Sequence, residues 1–83
     1  MKRWAVYLVR CRDGSLYTGM TNDLDQRLMR HNAGTGAKYT RSRRPVVLVH
    51  TETFRTETRA RKREAEIKKL TKPQKETLVR TTA

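Results

Sequence analysis

A carboxylate lies where the sequence pattern predicts an aliphatic core residue. On the long charged helix predicted from Thr56 to about Leu70, spacings of three and four residues define one face. That face contains Ala60, Glu64, Ile67 and Thr71. Burying an unpaired carboxylate is costly, so Glu64 requires a cation, either Arg27 in a structural ion pair or a metal ion. Mg²⁺ commonly takes one or two protein carboxylates and fills its other positions with water and phosphate, so one glutamate could suffice.

An arginine and a histidine share the core-facing side of the first predicted helix, which spans about residues 23–33. Asn22 or Asp23 can cap that helix, and Gly34 ends it. Its core-facing row contains Leu24, Arg27, Leu28 and His31. A structural explanation exists for both polar residues, because Arg27 can extend its charged end to solvent and His31 can end the helix, where a cation is favourable. The row makes them candidates without deciding their role.

The chain is strongly basic. Its 83 residues include 20 Lys and Arg against 8 Asp and Glu, and the formal net charge of +12 exceeds the roughly 2–8 that suits solubility in a small domain. Each basic side chain placed on a phosphate releases counterions, so nucleic acid is the predicted partner. The acid-free segment 26–51 is the densest contact surface, with Lys38, Arg41, Arg43 and Arg44 as the candidate nucleic-acid-binding residues. A merely solvated surface, or one that binds anionic membrane, is the competing interpretation.

Other features exclude several classes of protein. The longest apolar runs, residues 4–9 and 46–49, are far shorter than the ~20 residues that span a bilayer, and no signal-peptide cleavage site follows the first run. Cys11 is the only cysteine, which excludes an intrachain disulfide and predicts a reducing, cytoplasmic setting. We find no zinc pattern, no glycine-rich phosphate loop and no serine–histidine–acid arrangement. The length favours one domain over residues 1–83.

A β-hairpin is predicted over residues 4–21. Its loop length decides which residues share a face, because side chains alternate along a strand. A two-residue loop puts Tyr7 and Tyr17 on opposite faces. A three-residue loop with Gly14 in the left-handed conformation pairs Tyr7 with Gly19 and puts both tyrosines on one face.

The remaining segments complete a small mixed α/β fold. The basic segment after the first helix is predicted as a loop, followed by a strand from Pro45 to Phe54 and by the long charged helix. Thr71 and Gln74 form a capping box for a last short helix. The element order is therefore strand, strand, helix, basic loop, strand, helix, helix.

The motif pattern resembles that of the GIY-YIG nucleases. Ala5-Val6-Tyr7 and Tyr17-Thr18-Gly19 look like the paired motif that names the family, and the similarity continues through Arg27, His31 and Glu64. The resemblance covers nearly the whole chain, and the C-terminal part is similar to the short stand-alone bacterial and archaeal members. It implies an α+β fold with a small three-stranded antiparallel sheet flanked by helices, in the order β-β-α-β-α-α.

The resemblance also implies a role for each catalytic candidate. Tyr7 and Tyr17 would position or deprotonate the attacking water, and Arg27 would hold the scissile phosphate. Glu64 would bind the metal, Mg²⁺ or Mn²⁺, and His31 would carry a proton or contact phosphate. Because tyrosine has an ordinary pKa of ~10, a phenolate near neutral pH would need Arg27 or the metal to lower that value.

The implied activity is that of a metal-dependent endonuclease acting on DNA, with branched, nicked or single-stranded structures as substrates. The chain lacks the asparagine that larger members often carry after the glutamate, and Met20 stands where some members have lysine. These departures predict a weak or partner-dependent nuclease. Larger members also carry separate DNA-binding domains, for which 83 residues leave no room, so specificity is expected from the basic loop, from nucleic-acid shape or from another protein. The alternative is a non-catalytic nucleic-acid-binding module with the same fold, in which Glu64 is a structural partner of Arg27.

Overall fold

A computed structural model of the chain describes residues 3–81. Its elements are β1 (Trp4–Arg10), β2 (Leu16–Thr21), α1 (Leu24–Ala33), α2 (Lys38–Arg41), β3 (Val47–Phe54), α3 (Glu57–Lys68) and α4 (Lys72–Thr81). The predicted order β-β-α-β-α-α is confirmed, and the basic segment, predicted as a loop, contains the one-turn helix α2 in addition. No helix within these residues is long and apolar enough to cross a membrane.

The three strands form one antiparallel sheet in the order β2-β1-β3, which confirms the sheet that the resemblance implies. Every residue of the central strand from Ala5 to Val9 is buried. A strand covered on both faces carries apolar side chains at consecutive positions instead of alternating ones. The sheet therefore has two buried faces.

Each face of the sheet packs against a different set of helices. On one face, Val6 and Leu8 pack with residues of α3 and α4. On the other face, Tyr7 and Val9 pack with apolar residues of α1 and with Cys11. Because side chains alternate along a strand, successive residues of β1 lie on opposite faces of the sheet, and Tyr7 lies on the face that packs against α1.

The loop between β1 and β2 has three residues. Gly14 has a φ of +85°, a conformation in which a Cβ would be strained. The backbone amide of Cys11 donates to the carbonyl of Ser15 at 2.8 Å, and the strand register places Tyr7 opposite Gly19. The three-residue alternative is confirmed, and both tyrosines of the motif lie on the face that packs against α1.

The predicted helix ends have the expected caps. Asp23 accepts a backbone N–H at the start of α1, and Gly34, with a φ of +86°, ends it. Thr56 accepts a backbone N–H at the start of α3. Reciprocal hydrogen bonds between Thr71 and Gln74, at 2.9 and 3.3 Å, form the predicted capping box before α4.

A bidentate ion pair fixes α3 against the sheet. Arg63 of α3 donates to both carboxylate oxygens of Glu52 on β3, at 2.9 and 3.1 Å, and His50 Nε2 lies 2.7 Å from the same carboxylate. Burial pushes the pKa of Glu52 upward, but the hydrogen bonds from Arg63 and His50 hold it below its ordinary value. Because a bidentate pair restricts orientation, it anchors α3 at the residue next to Glu64.

One buried hydroxyl in the sheet is unsatisfied. Within residues 3–81, Thr18 Oγ1 is the one buried side-chain polar atom without a hydrogen-bond partner, and the residue is only 3% exposed. Thr18 lies opposite Leu8 on the face covered by α3 and α4. It stands at the middle position of the second motif, where the family name has isoleucine.

Candidate active site

Tyr7 lies in the middle of the central strand with its side chain fully buried. The residue opposite it on β2 is Gly19. A Cβ at position 19 would lie 2.5 Å from the Tyr7 hydroxyl oxygen and 2.7 Å from the adjacent ring carbon. The glycine of the second motif therefore makes room for the phenol, which is a packing reason for a glycine inside a strand.

His31 faces the Tyr7 hydroxyl from the last turn of α1. It is fully buried, and its Nε2 lies 2.7 Å from the hydroxyl oxygen. Its Nδ1 lies 2.8 Å from Thr40 Oγ1 on α2. The chain after α1 passes directly over the imidazole, since a Cβ at Gly36 would lie 2.7 Å from Nδ1. His31 thus does more than end the helix, because both of its ring nitrogens are engaged.

Arg27 reaches the same hydroxyl one helical turn earlier on α1. Its Nε donates to the Tyr7 oxygen at 3.3 Å, and the residue is half-buried. The hydrogen bond to Tyr7 raises the pKa of Arg27, with a smaller contribution from Tyr17, so the guanidinium remains charged. Because a guanidinium has five N–H donors and the hydrogen bond to Tyr7 uses one, Arg27 has donors left for a phosphate.

The pKa values of Tyr7 and His31 move in opposite directions. Burial raises the pKa of the Tyr7 phenol; Arg27 lowers it but is outweighed, and the charges of Tyr17 and Glu64 raise it further. Burial, followed by the charge of Arg27, lowers the pKa of His31. Near neutral pH a protonated phenol therefore faces a neutral imidazole. Arg27 does not lower the pKa of Tyr7 enough to make a resting phenolate.

An aromatic stack connects this group to the basic segment. The rings of Tyr17 and His31 meet edge to face with centroids 5.3 Å apart, and Tyr39 stacks on Tyr17 at 5.8 Å. The guanidinium carbon of Arg43 lies 4.0 Å from the centre of the Tyr39 ring. Because Tyr39 is 39% exposed, the stack extends from the buried imidazole to the surface.

Glu64 approaches from α3 on the row that the spacing predicts, between the buried residues Ala60 and Ile67. Its side chain is 19% exposed, and its basic neighbour is Lys68, with Nζ at 3.8 Å. No ion pair joins it to Arg27 within the described residues, so the structural pairing considered for these two residues is not present. Its negative charge does act on Tyr7, whose pKa it raises.

The surroundings of Glu64 fit a divalent cation that takes most of its ligands from elsewhere. A 3.8 Å contact with a half-exposed lysine is a weak ion pair, which leaves the carboxylate able to bind a metal. Mg²⁺ is commonly bound through one carboxylate together with water and substrate phosphate. In the described part of the chain, no cluster of three or more His, Cys, Asp or Glu side chains could hold a metal unaided.

The four residues predicted to bind nucleic acid have different surroundings. Lys38 and Arg41 are exposed on α2. Arg43 pairs with Asp13 at 3.1 Å, and Arg44 donates to two backbone carbonyls, at 2.9 and 3.4 Å. All four stay predicted contacts, but two of the guanidinium groups also hold the segment in its fold.

Three residues that lie next to the site were not identified from the sequence. Thr40 and Tyr39 belong to a basic segment without periodicity, where polar and aromatic residues look solvent-exposed. Gly36 carries the one available signal, because a second glycine closely following Gly34 indicates a backbone that passes near something bulky. That bulky group is the imidazole of His31.

A sheet of this topology, with two tyrosines, an arginine and a histidine gathered on one face, defines a class of catalytic domain. The family model described as the GIY-YIG catalytic domain matches residues 3–77. The chain belongs to the GIY-YIG family, which confirms the resemblance stated from its motifs.

The relatives are proteins of similar size from bacteria and archaea. A UPF0213 protein of Staphylococcus epidermidis is 55% identical over 75 residues, covering 90% of this chain and 92% of that protein. A UPF0213 protein of Halobacterium salinarum is 53% identical over 73 residues, covering 88% and 95%. The solution NMR structure of a protein from E. faecalis is similar with a TM-score of 0.68 and 50% identity, covering 99% of this chain and 88% of that chain.

Proposed function

We propose that the protein is a metal-dependent endonuclease that hydrolyses phosphodiester bonds in DNA. The observation that carries the proposal is the contact of the Tyr7 hydroxyl with both Arg27 and His31, at 3.3 and 2.7 Å. Ionisable groups whose pKa values are pushed apart, beside a charge partner, are typical of catalytic sites. Membership of the GIY-YIG family supports the same reaction class.

The geometry supports a proton relay. As a water oxygen attacks phosphorus, the water gives a proton to the Tyr7 oxygen while the phenol proton passes to Nε2 of His31, 2.7 Å away. The imidazole becomes an imidazolium and the phenol is restored, so no free phenolate forms and the raised pKa of Tyr7 is no obstacle. The new P–O bond forms to the water oxygen, the bond to the leaving sugar oxygen breaks, and that oxygen takes a proton from solvent.

Charge on the phosphate oxygens is offset from two sides. Arg27 directs its remaining N–H donors at the phosphate, where a fixed cation stabilises the charge that develops in the transition state. Glu64 holds the divalent ion, Mg²⁺ or Mn²⁺, which supplies Lewis-acid stabilisation when bound. Tyr17 packs against the imidazole and restricts its orientation.

DNA binding is assigned to the surface of α2. Lys38 and Arg41 are exposed there, and an open cleft of about 410 Å³ lined by Arg12, Arg41 and Arg44 continues the basic surface. We infer a weak nuclease that reads branched, nicked or single-stranded structure with this surface or receives its specificity from a protein partner.

The test is cleavage of a labelled panel of single-stranded, duplex, nicked, flap and branched DNA, with matched RNA, in Mg²⁺, Mn²⁺ or EDTA. We expect metal-dependent cutting of DNA by the wild-type protein and its loss in Glu64→Gln, with binding retained. Glu66→Gln is the matched control, because Glu66 is on the same helix, is exposed and lies outside the site. An unchanged rate in Glu64→Gln would exclude the metal role of this residue. Tight, salt-sensitive binding without cutting of any substrate would favour the non-catalytic binding module.

A further inference from the structure

Thr40 is a buried polar residue in an otherwise exposed turn. Its neighbours on α2 face solvent, whereas Thr40 itself has no exposed surface. Its hydroxyl oxygen lies 2.8 Å from Nδ1 of His31 and 3.1 Å from the carbonyl oxygen of Ala37. The one-turn helix therefore directs a single hydroxyl at the histidine of the site.

The hydrogen bonds around His31 fix which group donates and which accepts. The Tyr7 oxygen accepts from Arg27, which can only donate, so among the described residues the phenol proton has Nε2 of His31 as its acceptor. The proton of Thr40 can then be given to the Ala37 carbonyl. Thr40 Oγ1 must then accept the contact from His31, which places a proton on Nδ1. In a neutral imidazole, Nε2 is left unprotonated and accepts from the Tyr7 hydroxyl.

The opposite tautomer would not satisfy the same atoms. A proton on Nε2 would be donated to the Tyr7 oxygen, which already accepts from Arg27. The phenol proton would then have no acceptor at His31, and Nδ1 would compete with Ala37 for the single proton of Thr40. Leaving a buried donor without an acceptor is costly, so the network selects the Nδ1–H form.

We propose that Thr40 is a positioning residue that holds His31 in the Nδ1–H tautomer, so that Nε2 is ready to receive the proton of Tyr7. The catalytic consequence rests on the function proposed above, whereas the tautomer is a property of the folded protein alone. Gly36 contributes to the same arrangement, since its backbone passes close to Nδ1 in a place where both His31 and Thr40 are fully buried.

The tautomer can be measured without any substrate. Long-range ¹H–¹⁵N correlation spectra of the imidazole rings distinguish a protonated from an unprotonated ring nitrogen, and the chain contains only two histidines, His31 and His50, to assign. We expect Nδ1 of His31 to be protonated and Nε2 to be unprotonated at pH 7.5 in the wild-type protein. A protonated Nε2 there would overturn the proposal, whatever the variants do.

Three variants test whether Thr40 is the cause. Thr40→Val keeps the shape and removes the acceptor, so the His31 signals should shift towards the other tautomer, whereas Thr40→Ser should retain the wild-type pattern. Thr35→Val is the matched control, because the Thr35 hydroxyl bonds to the carbonyl of Arg30 at the surface and does not touch the imidazole. An unchanged His31 spectrum in folded Thr40→Val would overturn the proposal.

Kinetics add a readout that separates positioning from substrate binding. Thr40 has no exposed surface and is not available to bind substrate, so Thr40→Val should lower kcat about tenfold or more while leaving KM nearly unchanged, and Thr40→Ser should restore kcat. A rise in KM with unchanged kcat would contradict the positioning role. If the wild-type protein cleaves nothing but shows the Nδ1–H tautomer and its dependence on Thr40, the proposed function fails while the positioning role stands.

Discussion

Replacing Thr18 by valine is expected to stabilise the protein. The Thr18 hydroxyl is buried on the α3 face of the sheet and has no hydrogen-bond partner. An unsatisfied buried hydroxyl costs about 1–3 kcal/mol in lost hydration. Valine has nearly the same shape, favours a strand and breaks no hydrogen bond here. We therefore expect the free energy of unfolding to rise by about 1–2 kcal/mol.

Urea unfolding and thermal melting by circular dichroism measure this change. For a domain of this size, each kcal/mol raises Tm by roughly 4–8 °C, so the increase is easily resolved. Thr21→Val is the matched control on the same strand, because the Thr21 hydroxyl accepts the amide of Asp23 at 3.1 Å and donates to its carbonyl at 3.3 Å. That control should lose about 0.5–1.5 kcal/mol. A Thr18→Val protein no more stable than wild type would refute the reasoning, since it would mean that the hydroxyl is satisfied.

Three further expectations concern the site and its support. Gly19→Ala should lower kcat about 100-fold with the fold retained by circular dichroism, because the new methyl group would displace the Tyr7 hydroxyl, 2.5 Å away; a wild-type rate would contradict this. In single-turnover assays, the acid limb of the pH–rate profile should lie below the ordinary histidine value of about 6.5, because a lowered pKa keeps His31 neutral to lower pH; a limb above that value would contradict it. Arg63→Met should cost about 1 kcal/mol in urea unfolding by breaking a half-buried bidentate pair, whereas Arg61→Met, in an exposed i,i+4 pair, should cost less than about 0.5 kcal/mol; equal losses would contradict the anchoring role.

The fold was largely predictable because its signals are local. The register of the hairpin follows from one glycine and from the rule that side chains alternate, and the helix ends follow from side chains that can accept a backbone N–H. The helical spacing on α1 and α3 correctly predicted that Arg27, His31 and Glu64 face the core. The turn α2 was not predicted, because four residues in a basic segment are too few to show a helical period.

The contacts within the site were less predictable because they depend on distances between elements. A helical row gives the direction of a side chain but not what it meets, which is why pairing of Arg27 with Glu64 stayed open until the structure placed Arg27 on Tyr7. The sign of the Tyr7 pKa shift was equally inaccessible, since burial and the arginine charge act in opposition and only their sizes decide. Thr40 reaches His31 through a turn that the sequence pattern does not show.

The ion pairs leave most of the positive charge of segment 26–51 unneutralised, so this segment carries much of the net charge of +12 at the surface. Within residues 3–81, the acidic residues seen in ion pairs with basic side chains include Asp13, Glu52, Glu57, Glu64, Glu66 and Glu76. None of them lies in segment 26–51; among the described residues, Asp13 is the one that pairs with a lysine or arginine of that segment, Arg43, and Glu52 contacts His50 near its end. The positive field of that segment is therefore almost uncompensated where α2 presents Lys38 and Arg41. Since α2 also carries Thr40, a phosphate backbone attracted to this surface would lie one helical turn from the side chain that contacts His31.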